Sequence, residues 1–106
     1  MELIEEMLEK NPDDTFLNYA AALEYKKDEE IDKAIAMFRR IIDKDPENLP
    51  TYYQLGKILK KKNKTQEAID FYKKGRELAK KKNDVKTLGE LSEALLILDE
   101  DDGEVW

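Results

Sequence analysis

The fold is decided by residues 46–79, which read PENLPTYYQLGKILKKKNKTQEAIDFYKKGRELA. Residues 12–45 begin 34 positions earlier (46 − 12 = 34) and read PDDTFLNYAAALEYKKDEEIDKAIAMFRRIIDKD. When one stretch is shifted onto the other, small residues fall on small residues and aromatic residues on aromatic ones. The aligned pairs include Tyr19 with Tyr53, Ala22 with Gly56, Ala34 with Ala68, Ile35 with Ile69, and Phe38 with Tyr72. A fixed period of this length indicates an internal structural repeat.

Apolar residues recur at helical spacing in both stretches. Ile31, Ala34, Ile35 and Phe38 follow one another at intervals that place them on one face of a helix. Prolines and short polar runs separate such segments, and no segment reads as a strand. Each repeat is therefore predicted to be a pair of helices that cannot bury its apolar face alone, so that neighbouring pairs stack. Six helices are predicted, at about residues 2–10, 13–27, 30–44, 48–62, 65–82 and 85–98.

The composition favours one compact domain and argues against an enzyme. The chain has 106 residues, of which 41% are hydrophobic and 42% charged, and it contains neither cysteine nor histidine. Disulfides, thiol nucleophiles, the usual zinc ligands and the commonest general base are thereby removed. Ser92 and four threonines are the remaining hydroxyl nucleophiles, with no histidine to activate them. We therefore predict a non-catalytic protein that uses no cofactor and no metal.

The first residues argue against a secretory leader. Residues 1–12 contain four glutamates where a leader would need a basic start followed by an apolar run. No stretch of the sequence approaches the roughly 20 apolar residues that span a bilayer. We therefore expect a cytoplasmic location and no membrane association.

Charge is distributed unevenly along the chain. Residues 1–56 carry −7, residues 57–86 carry +8 and residues 87–106 carry −7, within a net charge of −6. The middle segment, residues 57–86, is called the basic block below. Such a block is most often a solvated helix face, but it could also steer an acidic ligand.

Nucleic-acid binding through the basic block is an alternative function. Aromatic residues interleaved with lysines could stack on bases while the lysines hold phosphates. The acidic flanks would repel a long polyanion, which makes this the lower alternative. The aromatic residues concerned are Tyr52, Tyr53, Phe71 and Tyr72.

The second repeat resembles the tetratricopeptide repeat (TPR) family at its aromatic, small and large positions. The matching residues are Tyr52, Leu55, Gly56, Leu59, Ala68, Tyr72 and Gly75. The first repeat matches through Ala22, Tyr25, Ala34, Phe38 and Pro46, and departs at Asn18, Ala21 and Ile41. This resemblance implies an all-α fold, a short right-handed solenoid of helical hairpins (a TPR-like superhelix) with about six antiparallel helices.

The resemblance also implies a division of the chain. Residues 1–12 would be a helix like the second helix of a preceding repeat, and residues 83–98 would be a capping helix that shields the last apolar face. The cap is expected to bury Val85, Leu88, Leu91, Leu95 and Leu98. The remaining parts are the first repeat at 13–48, the second repeat at 49–82, and an acidic tail at 99–106 that is expected to be mobile.

The resemblance places the binding surface on the concave groove lined by the first helix of each pair. The partner implied is another protein or an extended peptide, with an apolar anchor and some negative charge. An equally open interpretation is that the tyrosines support helix packing and the lysines only solubilise the surface. Groove positions in the first repeat are Phe16, Tyr19, Leu23, Lys26 and Lys27, and in the second Pro50, Tyr53, Lys57, Lys60 and Lys61.

Family members that grip a C-terminal carboxylate use Lys and Asn at positions held here by Tyr19, Leu23, Tyr53 and Lys57. Because that pattern is missing, we do not predict binding to the acidic C-terminal peptides of chaperones.

Self-association is the main alternative function. A stack of two full repeats leaves apolar ends, which invite contact between copies and a homodimer. Leu96 and Ile97 widen the apolar surface of the last helix and could form such a contact. A further variant places the acidic tail with Trp106 in the groove of a neighbouring copy.

Overall fold

The computed structural model describes the backbone of residues 1–101 and the side chains of residues 1–98, and within these residues all regular structure is helical. The helices are α1 (Glu2–Lys10), α2 (Thr15–Lys27), α3 (Ile31–Lys44), α4 (Leu49–Lys61), α5 (Thr65–Lys81) and α6 (Val85–Asp101). The predicted all-α architecture with its six helices is confirmed for the described part of the chain. None of the described helices combines the length and the apolar character needed to cross a bilayer.

Helix α6 corrects one expectation. It continues to Asp101, so residues 99–101 belong to a helix and not to a tail. The physical reason is that no proline or glycine stands between Leu98 and Gly103 to end the helix. The remaining residues of the predicted tail, including Trp106, lie outside the described residues.

The chain forms two compact units, Met1–Thr51 and Tyr52–Trp106. In the first unit α2 packs against α3, and α1 packs against α2. Small residues at the α2–α3 contact allow the two helices to approach closely, since Ala22 and Ala34 are both fully buried. Other buried apolar residues of this unit are Leu17, Ala21, Phe38, Ile41 and Leu49.

In the second unit α5 packs against α6. Gly75 makes this approach close, because a Cβ atom there would lie 3.1 Å from both Leu91 Cδ1 and Tyr52 Cβ. The buried apolar side chains of this unit are Tyr52, Leu55, Ile58, Leu59, Ala68, Ile69, Tyr72, Ala79, Leu91, Leu95 and Leu98.

The same cap begins the first helix of each pair. Asp14 Oδ1 accepts from the backbone N–H of Leu17 at 2.9 Å, and Asn48 Oδ1 and Asp84 Oδ1 accept at the equivalent positions. Such side chains satisfy amide groups that have no partner within the helix. The tight turns inside the two pairs contain Glu29 and Asn63, and the turn between α5 and α6 contains Asn83, each with a positive φ.

Candidate protein-binding surface

Helix α2 presents both apolar and basic side chains to solvent. Phe16 is 78% exposed, Leu23 and Lys27 are exposed, and Lys26 is half-buried. Tyr19 is half-buried, because its ring packs edge-on against Phe38 with the centroids 5.6 Å apart. This face of the first unit is therefore largely apolar, with its lysines in the last turn of the helix.

Helix α4 presents the equivalent face of the second unit, and there the character is cationic. Tyr53 is half-buried, with its ring centroid 6.1 Å from that of Tyr72. Lys57 Nζ lies 5.3 Å from the centroid of the Tyr53 ring, which is cation–π distance. The exposed residues on this helix are Pro50, Lys57, Lys60 and Lys61.

The electrostatic difference between the two faces comes from single substitutions at equivalent positions. Leu23 of the first repeat is replaced by Lys57 in the second, and Glu24 is replaced by Ile58, whereas the replacement of Phe16 by Pro50 changes no charge. Helix α4 carries three lysines and no acidic residue over Leu49–Lys61. An acidic group approaching this helix therefore meets positive charge without an intrahelical competitor.

Tyr19 and Tyr53 have the geometry expected both of residues that support helix packing and of residues that bind a peptide. Each ring packs on an aromatic residue of the following helix, as a packing role requires, and each keeps part of its surface open to solvent, as a binding role requires. Burial raises the pKa of Tyr72 to about 12, with a smaller contribution from Tyr53, so Tyr72 is neutral at physiological pH. Tyr72 therefore supports Tyr53 as an uncharged partner.

The aromatic residues in and next to the basic block are poorly placed to stack on bases. Tyr52 and Tyr72 are buried, and Phe71 is half-buried with its ring 6.3 Å from that of Tyr52. Several lysines of the block are exposed, and Lys64 and Lys80 lie within ion-pair distance of Glu67 and Glu77. The geometry thus removes two of the four stacking platforms that a nucleic-acid interface would use.

Some apolar residues of α1 and α6 are exposed, although an apolar core would bury them. Val85, expected on the buried side of α6, is the first residue of that helix and is 78% exposed. On α1, Leu3 is 68% and Met7 43% exposed, whereas Ile4 and Leu8 are half-buried. Sequence reasoning also gave no role to Gly89, where a Cβ atom would meet nothing within 4 Å.

Metal chemistry has no obvious place on the described surface. Across the described residues, no group of three histidine, cysteine, aspartate or glutamate side chains comes together in a way that could hold a metal ion. The exposed side chains of α2 and α4 are an aromatic ring, aliphatic groups and ammonium groups.

Comparisons with known proteins agree with this architecture. A family model described as "Surface lipoprotein assembly modifier, N-terminal TPR repeats" matches residues 4–72. The tetratricopeptide repeat domain protein from Salinibacter ruber is 37% identical, with a TM-score of 0.80 over 84% of this chain and 90% of that chain. Protein BPP2914 from Bordetella parapertussis is 26% identical, with a TM-score of 0.85 over 98% of this chain and 90% of that one.

A more distant structure shares the fold. The TPR2B domain of yeast Sti1, solved as a complex with pHsp70, is 18% identical, with a TM-score of 0.85. The match covers 94% of this chain and 80% of that one. The same helical arrangement thus persists where few of the residues are shared.

Proposed function

Because the chain belongs to the tetratricopeptide repeat family, we propose that it is a non-catalytic scaffold that holds an extended peptide of another protein. The contact surface that we propose is the exposed face of α4, and α2 offers an equivalent face in the first unit. One observation carries the proposal: Lys57 Nζ stands 5.3 Å above the ring of Tyr53, which is itself supported by Tyr72. A braced aromatic ring beside an exposed ammonium group is typical of a recognition surface.

The chemistry of the two helices specifies the peptide. Phe16 and Leu23 offer exposed apolar surface, which suits an apolar anchor residue. The exposed ammonium group of Lys57 suits a carboxylate group. The face of α2 therefore suits an apolar anchor residue, and the face of α4 suits an acidic segment. The expected cytoplasmic location stays a prediction.

The test is a peptide selection followed by a charge-matched comparison. Peptides are first selected from a displayed library against the wild-type chain, and the affinity of the selected sequence is then measured by calorimetry. Lys57→Glu should weaken binding about tenfold or more, because it replaces attraction with repulsion beside Tyr53. Lys73→Glu is the control, since it changes the same charge on an exposed position of α5.

Both variants should keep the wild-type circular dichroism spectrum, because both side chains are exposed. Equal affinity of the two variants for the selected peptides would show that the exposed face of α4 is not the binding surface. A pull-down from the source lysate with wild type and Lys57→Glu in parallel would then identify the natural partner.

A further inference from the structure

Residues 102–106 follow helix α6 and read DGEVW, which combines two carboxylates with a valine and a tryptophan. We call them the 102–106 segment. They lie outside the described residues, but the place from which they start is given, because α6 runs to Asp101. The segment has the acidic character that suits the exposed face of α4, and it belongs to the same compact unit, Tyr52–Trp106.

Helix α6 ends beside the lysine-rich end of α4. A Cβ atom at Gly75 of α5 would lie 3.1 Å from both Tyr52 Cβ and Leu91 Cδ1, so α4 and α6 both reach α5 at this level. Each of them runs antiparallel to α5, which makes α4 and α6 parallel to each other. Lys61 is nine residues beyond Tyr52 (61 − 52 = 9). Asp101 is ten residues beyond Leu91 (101 − 91 = 10), so the segment starts at about the level of Lys61.

The segment is long enough to run back along α4. Packed helices have axes about 8–10 Å apart, and the eight residues from Lys61 to Tyr53 (61 − 53 = 8) rise about 12 Å. The diagonal from the end of α6 to Tyr53 is therefore about 16 Å. Five extended residues span about 17 Å, so Trp106 reaches the level of Tyr53.

The spacing of side chains along the segment matches the spacing along α4. Tyr53, Lys57 and Lys61 recur every four residues, which places them in one stripe with steps of about 6 Å. In an extended chain every second side chain points to the same side, in steps of about 7 Å. Two carboxylates of the segment therefore come opposite two ammonium groups, and the indole comes opposite the phenol ring. The segment residues with this spacing are Asp102, Glu104 and Trp106.

The charges along this path attract the segment to α4 and repel it from α6. Residues 57–64 contain five lysines and no acidic residue, and Glu67 and Asp70 of α5 leave an excess of three positive charges there (5 − 2 = 3). Helix α6 itself is acidic, with five acidic residues and one lysine over Val85–Asp101. The two carboxylates of the segment are therefore driven away from the helix that they follow and towards the lysines of α4.

The ring of Tyr53 offers a place for the tryptophan. Tyr53 is half-buried, and the ring of Tyr72 supports it with the centroids 6.1 Å apart. The open part of the Tyr53 ring suits a second aromatic ring, since aromatic pairs gain more than the area that they bury. Lys57 Nζ, 5.3 Å from the same ring centroid, is exposed and suits a carboxylate beside that ring.

We propose that the 102–106 segment binds the exposed face of α4 in its own chain. This inference rests on the proposed function, because the segment occupies the surface that holds the partner peptide. A partner must displace the segment, which lowers the apparent affinity of the chain for every acidic peptide. The contacts are Asp102 with Lys61, Glu104 with Lys57, and Trp106 with Tyr53.

Fluorescence tests the contact, because Trp106 is the only tryptophan of the chain. Lys57→Glu should release the segment, so that the emission moves to longer wavelength and acrylamide quenching rises about twofold. Lys73→Glu, the same charge change on an exposed position of α5, should behave as wild type. Lys57→Glu combined with Glu104→Lys should restore the wild-type emission, because the pair is then reversed and not lost.

The emission should not depend on protein concentration, because the contact lies within one chain. A shift on dilution would mean that the segment binds a second copy, and it would overturn the proposal. Equal quenching of wild type and Lys57→Glu would overturn it too, as would a charge-reversed pair that stays as strongly quenched as Lys57→Glu alone.

Peptide affinity separates this inference from the proposed function. Glu104→Lys combined with Trp106→Ala should empty the face of α4 and raise the affinity for the selected peptide about threefold or more. If Lys57→Glu weakens peptide binding while the emission of Trp106 does not respond, the proposed function stands and the inference fails. If the emission responds while peptide affinity does not change, the segment occupies α4 and the proposed function fails.

Discussion

The ring of Tyr53 packs on the ring of Tyr72 at 6.1 Å, in the same way that Tyr19 packs on Phe38 at 5.6 Å one repeat earlier. The pair joins the first helix to the second helix in each repeat. One ring of each pair is buried and the other is half-exposed, so the half-exposed tyrosine serves stability and recognition at once. Removing Tyr53 would therefore mix a loss of packing with a loss of binding surface, whereas Lys57 reports on binding alone.

Alkaline pH should destabilise the protein through Tyr72. Burial raises the pKa of Tyr72 from 10.0 to about 12, so the folded state holds this proton while the unfolded state has lost it. The stabilisation is fully present below pH 10 and is lost as pH rises towards 12. Thermal unfolding from pH 9 to 12 should show this fall. In Tyr72→Phe, which keeps the ring but cannot ionise, the decline should be shallower than in wild type; parallel curves would contradict the assignment.

Gly56 and Gly89 should respond in opposite directions to the same substitution. Gly56→Ala places a Cβ atom 2.3 Å from Tyr72 Cε1, and the displaced ring should lower the free energy of unfolding by about 1–3 kcal/mol. Gly89→Ala places a Cβ atom where nothing lies within 4 Å. The better helix propensity of alanine should therefore raise the free energy of unfolding by about 0.5–1 kcal/mol. Urea unfolding of the two variants measures both effects. A loss of stability in both would mean that α6 packs more closely than its open surface indicates.

The sequence predicted the helices well because their signals are local. Spacing of apolar residues and the polar breaks placed most helix ends within two residues of those observed. The helix predicted at residues 65–82 is observed as α5 and runs to Lys81. The end of α6 was missed because residues 99–101 are acidic, which suggested a tail, although acidic residues do not by themselves end a helix.

Exposure of the surface residues could not be predicted in the same way, because it depends on which helix lies beside them. Val85 continues the apolar pattern of α6 and is nevertheless exposed. Gly89 is unremarkable in the sequence, and only the absence of atoms around it marks an open surface. Asn18 was identified as a departure from the repeat pattern, but its hydrogen bonds were visible only once the turn before α2 was placed.

Asn18 should be intolerant of a negative charge. It is 3% exposed, and its Nδ2 donates to the carbonyl oxygens of Pro12 and Asp14, each at 2.9 Å. Asn18→Asp keeps the shape but sets an ionised oxygen against two carbonyl oxygens, which should cost about 3–5 kcal/mol at neutral pH. Asn18→Leu should cost less, because it removes the donor without adding a buried charge. The free energies of unfolding of both variants in urea test this order, and equal losses would contradict it.

Acid should weaken the cap of α6 through Asp84. Hydrogen bonds from the Thr87 backbone N–H at 3.1 Å and the Thr87 hydroxyl at 2.8 Å hold the pKa of this carboxyl below its ordinary value of 3.8. A group with a lowered pKa contributes stability that is present above its unfolded value and is lost as pH falls through the folded one. In Asp84→Asn, which caps the helix without titrating, the melting temperature should fall less between pH 5 and pH 2 than in wild type. Since all other carboxyl groups are common to both proteins, identical acid profiles would show that the ionised form of Asp84 is not stabilised in the folded state.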